Sequence, residues 1–257
     1  MTSIVEWQAG DLTVLALSDA TGVYQRPLRE IFPGAGDEEW QGAGESPWHL
    51  DFRCFLVRDS GATMLVDTGL GPSSDWSPEP GRLPGLLDEA GVTPDDITRV
   101  LLTHLHTDHI GWAVVDGEPT FPEAEYLLQR AEFDAVQEHY PWLPDTLIGP
   151  LLKRDQLRLL DGRTTLDPGI TALPTPGHTP GHQSVLITGG RGDDLVLTGD
   201  VVQHAVQLRN PAISYDHDAD PEQARRTRRE LLARGGVLGT AHLTTPFVPA
   251  GGTGSGG

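Results

Sequence analysis

Residues 103–112 read Thr-His-Leu-His-Thr-Asp-His-Ile-Gly-Trp and follow the apolar stretch Arg99-Val-Leu-Leu, which is typical of a buried β-strand. Three imidazoles and a carboxylate at the end of such a strand need partners, because burying them unpaired costs free energy. The first two histidines are two residues apart, so an extended backbone directs them to the same side, and the acid and third histidine follow after a turn. A metal ion would make all four side chains ligands, and this set favours zinc over calcium or magnesium. A polar loop with chance histidines is the plain alternative.

The composition limits the partners that the chain can have. Its 257 residues are enough for a large buried core, and Lys+Arg 18 against Asp+Glu 37 give a formal net charge of −19. This charge argues against nucleic acid and anionic membranes as partners. The single cysteine, Cys54, lies in an apolar stretch, which predicts a buried hydrophobic position, no internal disulfide and a reducing compartment.

The organisation of the chain is predicted to be simple. No apolar run approaches the ~20 residues of a membrane span, and the first residues lack the basic and apolar regions of a signal peptide. We therefore expect a cytoplasmic protein that does not bind membranes. Residues 1–250 are predicted to form one domain, and residues 251–257, which are rich in glycine, a flexible tail of linker type.

The His-x-His-x-Asp-His pattern of residues 104–109 resembles the signature of the metallo-β-lactamase superfamily. Residues 200–211 resemble the lactonase and methyl-parathion-hydrolase-like branch, and the resemblance extends over residues 12–248 in the order of motifs and elements. It implies an α/β (α+β) fold of the four-layer αβ/βα sandwich type, with the site along one edge. A strand-strand-helix alternation that occurs twice supports this fold.

The same resemblance implies seven ligands for two divalent cations. A loop pinned by proline and glycine carries one further histidine, and two later strands end in an aspartate and a histidine that match the remaining family positions. We expect zinc, with manganese, iron or cobalt as alternatives. One ion would be held by His104, His106 and His178, the other by Asp108, His109 and His242, with Asp200 between them.

Three further residues match positions around the ligands. Asp67, at a strand end before a glycine turn, resembles the acid that orients a metal-bound histidine. His182 resembles a histidine outside the ligand set, and His204, four residues after Asp200, is predicted to belong to the same outer layer. Some lactonases place a tyrosine near the bridging acid, whereas residue 203 of this chain is glutamine.

Three aromatic residues are candidates for the substrate cavity. Trp112 stands where many family members have a second glycine, so we predict that it narrows the cavity. Phe32 and Trp48 lie in an irregular stretch, residues 23–50, of the kind that often shapes a binding site. Core packing is the alternative for all three.

The resemblance implies an enzyme, a dinuclear metal-dependent hydrolase whose metal-bridging hydroxide attacks a carbonyl or phosphoryl centre. Asp200 would hold both ions, and Asp108 would pass a proton to the leaving group. The favoured substrate is a small neutral carboxylic ester, foremost a lactone, with arylesterase or phosphotriesterase promiscuity. A phosphotriesterase, a thioesterase of glyoxalase type, a β-lactamase and a non-enzymatic binding scaffold are the alternatives, and the intact ligand set weighs against the last. A homodimer is one assembly to consider.

Overall fold

The computed structural model describes residues 3–10, 12–41, 43, 47–58, 63–74, 76–189 and 194–251. The predicted tail after Gly251 and the turn predicted around residues 59–61 lie outside the described residues. No helix among the described residues is long and apolar enough to cross a membrane.

The strands are short and mostly buried. In the described part of the chain they are β1 (Ile4–Ala9), β2 (Leu12–Tyr24), β3 (Trp48–Arg58), β4 (Thr63–Val66), β5 (Arg99–Leu101), β6 (Val114–Val115), β7 (Glu118–Pro119), β8 (Glu125–Gln129), β9 (Leu157–Leu160), β10 (Thr164–Asp167), β11 (Ile170–Pro174), β12 (Gln183–Ile187), β13 (Leu195–Leu197), β14 (Val237–Gly239) and β15 (Phe247–Pro249).

The α-helices in the described residues are α1 (Leu28–Ile31), α2 (Asp37–Trp40), α3 (Leu83–Glu89), α4 (Thr107–Ile110), α5 (Arg130–His139), α6 (Gly149–Lys153), α7 (Ala205–Arg209) and α8 (Pro221–Ala233). Helical turns of other types occupy Pro94–Asp96, Pro144–Ile148 and Gly199–Val201. Asp220 begins α8, since its side chain accepts hydrogen bonds from the backbone N–H groups of Glu222 and Gln223.

Two sheets pack face to face and confirm the predicted sandwich. One has the strand order β1-β2-β3-β4-β5-β8-β9 and the other β10-β11-β12-β13-β14-β15. Successive residues of β2 alternate between two cores, because strand side chains point to opposite faces. Val14 and Ala16 face the core shared with the second sheet, whereas Leu15 and Leu17 join the outer core with α3. The outer face of the second sheet packs against Leu231 of α8, which completes four layers.

The second strand extends further than its residue types indicate. Strand β2 continues to Tyr24 through Asp19-Ala-Thr-Gly22, residue types that are typical of a turn. The pairing of β2 with β3 shifts between Ser18 and Ala20. At this bulge the buried Asp19 carboxylate accepts backbone hydrogen bonds from Leu70 and Leu83 at 2.7 and 2.6 Å. Backbone N–H groups from distant parts of the chain therefore satisfy the Asp19 carboxylate, and the strand continues through the bulge.

The ends of parallel strands create the site. Strand β4 pairs parallel with β5, and β13 pairs parallel with β14, so the carboxyl ends within each pair lie at the same edge. Asp67 follows β4 and the histidine motif follows β5. Asp200 and His242 follow β13 and β14, and His178 lies in the loop between β11 and β12.

Candidate metal centre

Three histidines converge through one nitrogen each. His104 Nε2 lies 2.9 Å from His106 Nδ1, and His178 Nε2 lies 3.0 Å from the same atom. These residues, which we call the three-histidine group, come from the end of β5 and from the β11–β12 loop. Tetrahedral zinc with Zn–N bonds near 2.0–2.1 Å separates its nitrogen ligands by about 3.3 Å. The spacing of the group is therefore close to that of ligands around one cation.

A second cluster faces the first. Asp108 Oδ2 lies 3.6 Å from both His109 Nε2 and His242 Nε2. We call Asp108, His109 and His242 the mixed group. Its residues come from α4 and from the end of β14. The ligand atoms within this group all lie within 4.8 Å of one another, so they too could surround a single cation.

Asp200 lies between the two groups and directs one oxygen to each. Its Oδ2 is 3.5 Å from His104 Nε2 and 3.2 Å from His178 Nε2. Its Oδ1 is 3.1 Å from both His109 Nε2 and His242 Nε2. A carboxylate in this position can hold two cations at once and offset their mutual repulsion.

Two buried atoms test whether cations fit this arrangement. Within the described residues, His109 Nε2 and Asp200 Oδ1 have no hydrogen-bond partner although both are buried. Leaving a buried acceptor unpaired costs about 1–3 kcal/mol. The two atoms lie 3.1 Å apart without forming a hydrogen bond, and a divalent cation bound to both would satisfy them. The seven side chains thus fit a pair of divalent cations by position and by chemistry, since nitrogen and carboxylate donors suit zinc and its neighbours.

Hydrogen bonds behind the histidines free their other nitrogens for coordination. His178 Nδ1 lies 3.2 Å from an Asp218 carboxylate oxygen. His242 Nδ1 lies 2.8 Å from the Asp51 carbonyl oxygen. Both partners only accept, so each Nδ1 carries a proton, and Nε2 is the nitrogen that presents a lone pair to the site when the ring is neutral. Such partners fix the tautomer and orientation of metal-binding histidines.

Asp67 organises two histidines at once. One of its oxygens lies 2.8 Å from His109 Nδ1, and its carboxylate accepts the backbone N–H and the hydroxyl of Thr103 at 2.7 and 2.9 Å. Because the Thr103 hydroxyl donates to Asp67, its oxygen is left to accept from His104 Nδ1 at 3.0 Å. Asp67 has a left-handed backbone with φ 59, a conformation that aspartate adopts more readily than most residues.

Two of the histidines have very different pKa values when no cation is bound. Burial lowers the pKa of His106 to about 3, so this ring is neutral and ready to coordinate. Burial also opposes charge on His178, but its hydrogen bonds with Asp200 and Asp218 outweigh burial and raise its pKa to about 9. A cation must therefore displace a proton from His178 near neutral pH.

The metal-free protein should lose stability as the pH rises from 6.5 to 9. The pKa of His178 is 6.5 ordinarily and about 9 in the folded chain, so its stabilisation is complete below 6.5 and is lost as the pH passes 9. We expect a loss on the order of 1–3 kcal/mol, measured by urea unfolding of chelator-treated protein at both ends of this range. Cation affinity should change in the opposite direction and rise with pH. Unchanged unfolding free energy across the range would contradict this assignment.

A buried carboxylate joins the two loops of the three-histidine group. Glu132, in the first turn of α5, accepts the backbone N–H of Leu105 at 3.2 Å. Its other oxygen accepts the Thr179 hydroxyl at 2.7 Å and the Gly181 N–H at 2.9 Å. Leu105 lies between two of the histidines and Thr179 follows the third, so Glu132 sets the distance between their loops.

Replacing Glu132 with glutamine should weaken one cation site and spare the other. The amide oxygen still accepts, but the amide nitrogen cannot, so one of the two loops loses its anchor. We expect the affinity of the three-histidine group to fall about 10- to 100-fold, as for other residues behind metal ligands. Stepwise titration against a chromophoric chelator separates the two sites, and Glu125→Gln, on the preceding strand, is the control. Equal weakening of both sites, or of neither, would contradict this role.

The remaining outer histidines have different surroundings. His182 lies outside both groups and accepts the backbone N–H of Asp200 through Nε2 at 3.0 Å, while Nδ1 meets the Thr175 hydroxyl at 2.9 Å. His204, predicted beside the ligands, instead lies among aromatic rings, with ring centroids 5.4 Å from Phe32 and 5.7 Å from Trp48. Burial lowers the pKa of His204 to about 4.

A cavity of about 390 Å³ opens over the two groups. Its walls are mostly aromatic and come from segments far apart in the sequence. They include Tyr24, Trp76, Tyr140, Trp142, Tyr215 and His217. The sequence offered little to find them, because each is an isolated aromatic or polar residue in a loop or at a strand end.

The three aromatic residues predicted for the cavity lie elsewhere. Trp112 packs against the outer core and donates its indole N–H to Asp19 at 3.2 Å. This places it behind the histidine motif instead of above it. Phe32 and Trp48 are buried, with ring centroids 5.4 and 6.3 Å from that of Tyr215. They support the cavity wall from behind.

Two further buried side chains support the site from behind. Gln203, almost fully buried, donates its side-chain N–H to Asp200 Oδ2 at 2.7 Å. Arg228 belongs to an arginine-rich stretch of α8, a composition typical of a solvated helix face, yet it is 1% exposed. Its guanidinium donates to the carbonyls of Val201 and Ile213 and lies 3.5 Å from Asp218. It fixes the segment between Asp200 and Asp218 that backs the site.

Comparisons with known proteins agree with this geometry. A family model described as the metallo-beta-lactamase superfamily matches residues 53–237. An N-acyl homoserine lactonase of a Bacillus sp. is 26% identical, in an alignment that covers 74% of this chain and 80% of the relative. The N-acyl homoserine lactonase AttM of Rhizobium radiobacter is 28% identical, in an alignment that covers 62% of this chain and 68% of the relative.

Solved structures share the fold. The hydrolase AbOPH of the beta lactamase superfamily has a TM-score of 0.81 at 24% identity, covering 96% of this chain and 92% of that one. AidC, a dizinc quorum-quenching lactonase in complex with a product, has a TM-score of 0.79 at 24% identity, covering 95% and 92%.

Proposed function

This chain belongs to the metallo-β-lactamase superfamily and is a metal-dependent hydrolase, and on that basis we propose that it opens the ester bond of N-acyl homoserine lactones. The relatives at 26–29% identity that carry this activity in their names support the substrate class. The observation that carries the proposal is Asp200, whose two oxygens face two separate groups of ligands.

The two groups are proposed to hold two divalent cations, zinc first. His104, His106 and His178 would bind one, Asp108, His109 and His242 the other, and Asp200 both. Two bound cations supply Lewis acidity, which polarises a carbonyl and makes water nucleophilic near neutral pH. No serine or cysteine nucleophile is required.

The protein side chains supply position and proton transfer. Asp67, Asp218 and the Asp51 carbonyl orient the histidine rings. Asp108 lines the cavity, so its carboxylate can take up a proton and deliver it to the oxygen that leaves when the ring opens. Aromatic walls exclude water and hold the apolar part of the substrate.

The size and the polarity of the cavity also favour a small, neutral substrate. Its volume of about 390 Å³ lies in the range of small-molecule sites, and its walls are largely apolar. The formal charge of −19 repels anions at long range. An uncharged lactone with an acyl chain satisfies both conditions.

A substrate panel tests the proposal. Zinc-loaded protein should show a higher kcat/KM for acyl homoserine lactones than for aryl esters, phosphotriesters, glutathione thioesters and β-lactams. Product should be the ring-opened hydroxy acid, detected by release of one acid equivalent. A higher kcat/KM for a phosphotriester or a thioester would replace the lactone proposal, whereas inactivity on the whole panel would favour a binding role.

A further inference from the structure

Two polar side chains in the aromatic wall of the cavity form a hydrogen-bonded pair. The Tyr24 hydroxyl and His217 Nε2 lie 2.9 Å apart, and both residues line the cavity. The tyrosine ring stacks on Trp76, with centroids 5.3 Å apart and planes at 21°. The His217 side chain is half exposed, so the pair remains open to a ligand.

The pair is held in place by a segment that also contacts the three-histidine group. Residues 215–218 form a tight turn in which Tyr215 and Asp218 exchange backbone and side-chain hydrogen bonds at 3.1 and 3.2 Å. Asp218 also meets His178, and the Tyr215 ring stacks on His178 with centroids 5.9 Å apart. The Tyr215 and His217 rings are 5.2 Å apart. One aromatic ring thus separates the pair from a candidate metal ligand.

The hydrogen-bonding capacity of the pair suits an amide. If His217 donates to Tyr24, the phenol O–H is free to donate, and if Tyr24 donates, the other imidazole N–H is free. Arg26 also donates a hydrogen bond to the phenol, but when Tyr24 donates to His217 its oxygen has a second lone pair left to accept from a ligand. The pair can therefore donate to a carbonyl and accept from an N–H, and a secondary amide offers both groups.

We propose that Tyr24 and His217 bind the exocyclic amide of the substrate and so select acylamino lactones over lactones that carry only an alkyl chain. This inference rests on the proposed lactonase function and adds the residues that distinguish between lactones. A polar pair built to bind an amide discriminates against an analogue without one, because its groups are then left unpaired.

The test compares two lactones of equal chain length, N-hexanoyl homoserine lactone and an α-alkyl-γ-butyrolactone without the amide. Tyr24→Phe keeps the ring that stacks on Trp76 and removes only the hydroxyl. We expect Tyr24→Phe and His217→Phe to lower kcat/KM about five- to tenfold for the amide substrate, and to leave it unchanged or raise it for the alkyl lactone, which no longer leaves polar groups unpaired. His139→Phe, an exposed histidine on α5, is the matched control.

A binding measurement separates this inference from the proposed activity. Quenching of tryptophan fluorescence measures the dissociation constants of the two ring-opened products. This measurement does not require the protein to be catalytically active. We expect Tyr24→Phe to raise the dissociation constant only of the product that contains the amide. If wild-type protein cleaves neither lactone but Tyr24→Phe still weakens only the binding of the compound with the amide, the lactonase proposal is rejected and the amide site is supported. Equal effects on both compounds, or none on either, would overturn the amide site.

Discussion

Asp200→Ala should reduce hydrolysis and cation content together. Loss of one electrostatic group in an active site costs about 100- to 1000-fold in rate, and this carboxylate faces both ligand groups. We therefore expect kcat/KM to fall by about a thousandfold or more, with fewer than two cations retained per chain. Steady-state kinetics and elemental analysis of the same preparation measure both quantities.

Two companion variants make the result specific. Asp200→Asn keeps the shape of the side chain but removes the negative charge that offsets two cations. It should therefore lower kcat/KM and cation content almost as much as Asp200→Ala does. Asp161→Ala removes an exposed carboxylate, 80% accessible, that pairs with Arg130 on the surface. It should leave rate and cation content unchanged, since exposed ion pairs contribute little. Wild-type rate and two retained cations in Asp200→Ala would reject the bridging role.

Removing the cations should lower the melting temperature by about 10 °C. Ligand present at a thousand times its dissociation constant stabilises a fold by about 4 kcal/mol, and each kcal/mol shifts Tm by about 2–4 °C for a domain of this size. The reason lies in the buried atoms His109 Nε2 and Asp200 Oδ1, which have no hydrogen-bond partner among the described residues when the cations are absent.

Thermal unfolding by near-UV circular dichroism measures this shift, before and after dialysis against a chelator and after zinc is restored. Chelator that has been saturated with zinc beforehand is the control for effects of the chelator itself. Restoration of zinc should recover the original Tm. An unchanged Tm in protein shown by elemental analysis to be metal-free would contradict the prediction.

The sandwich and the ligand-bearing strand ends could be predicted because their determinants are local. The apolar run before the motif, the glycine after β4 and the Pro-Gly loop before His178 each act within a few residues. Strand ends that recur in the family order then place seven polar side chains at one edge. Cys54, predicted to be buried, has no exposed surface for the same reason, since it lies within a continuous apolar stretch of β3.

Other features of the fold depend on contacts between distant residues. Asp19 is a residue type common in turns, but partners 51 and 64 residues away satisfy its carboxylate, so β2 continues. Arg228 is buried because carbonyls 27 and 15 residues earlier accept its N–H groups. No local pattern encodes either contact.

The cavity could not be predicted for the same reason. Its aromatic walls come from the end of β2, from the loop after β4, from the segment after α5 and from the turn at residues 215–218. Trp112 is only three residues from His109 in the sequence, yet its indole packs toward Asp19 and does not line the cavity.

The number of cations bound to each chain decides whether the proposed dinuclear site exists. Native mass spectrometry of wild-type protein, titrated with zinc while lactone hydrolysis is followed, should show two ions per chain, with full activity reached only at the second. A protein that is fully active with no bound ion would contradict the proposed mechanism, because Asp200 and the six side chains around it would then have no role in the chemistry.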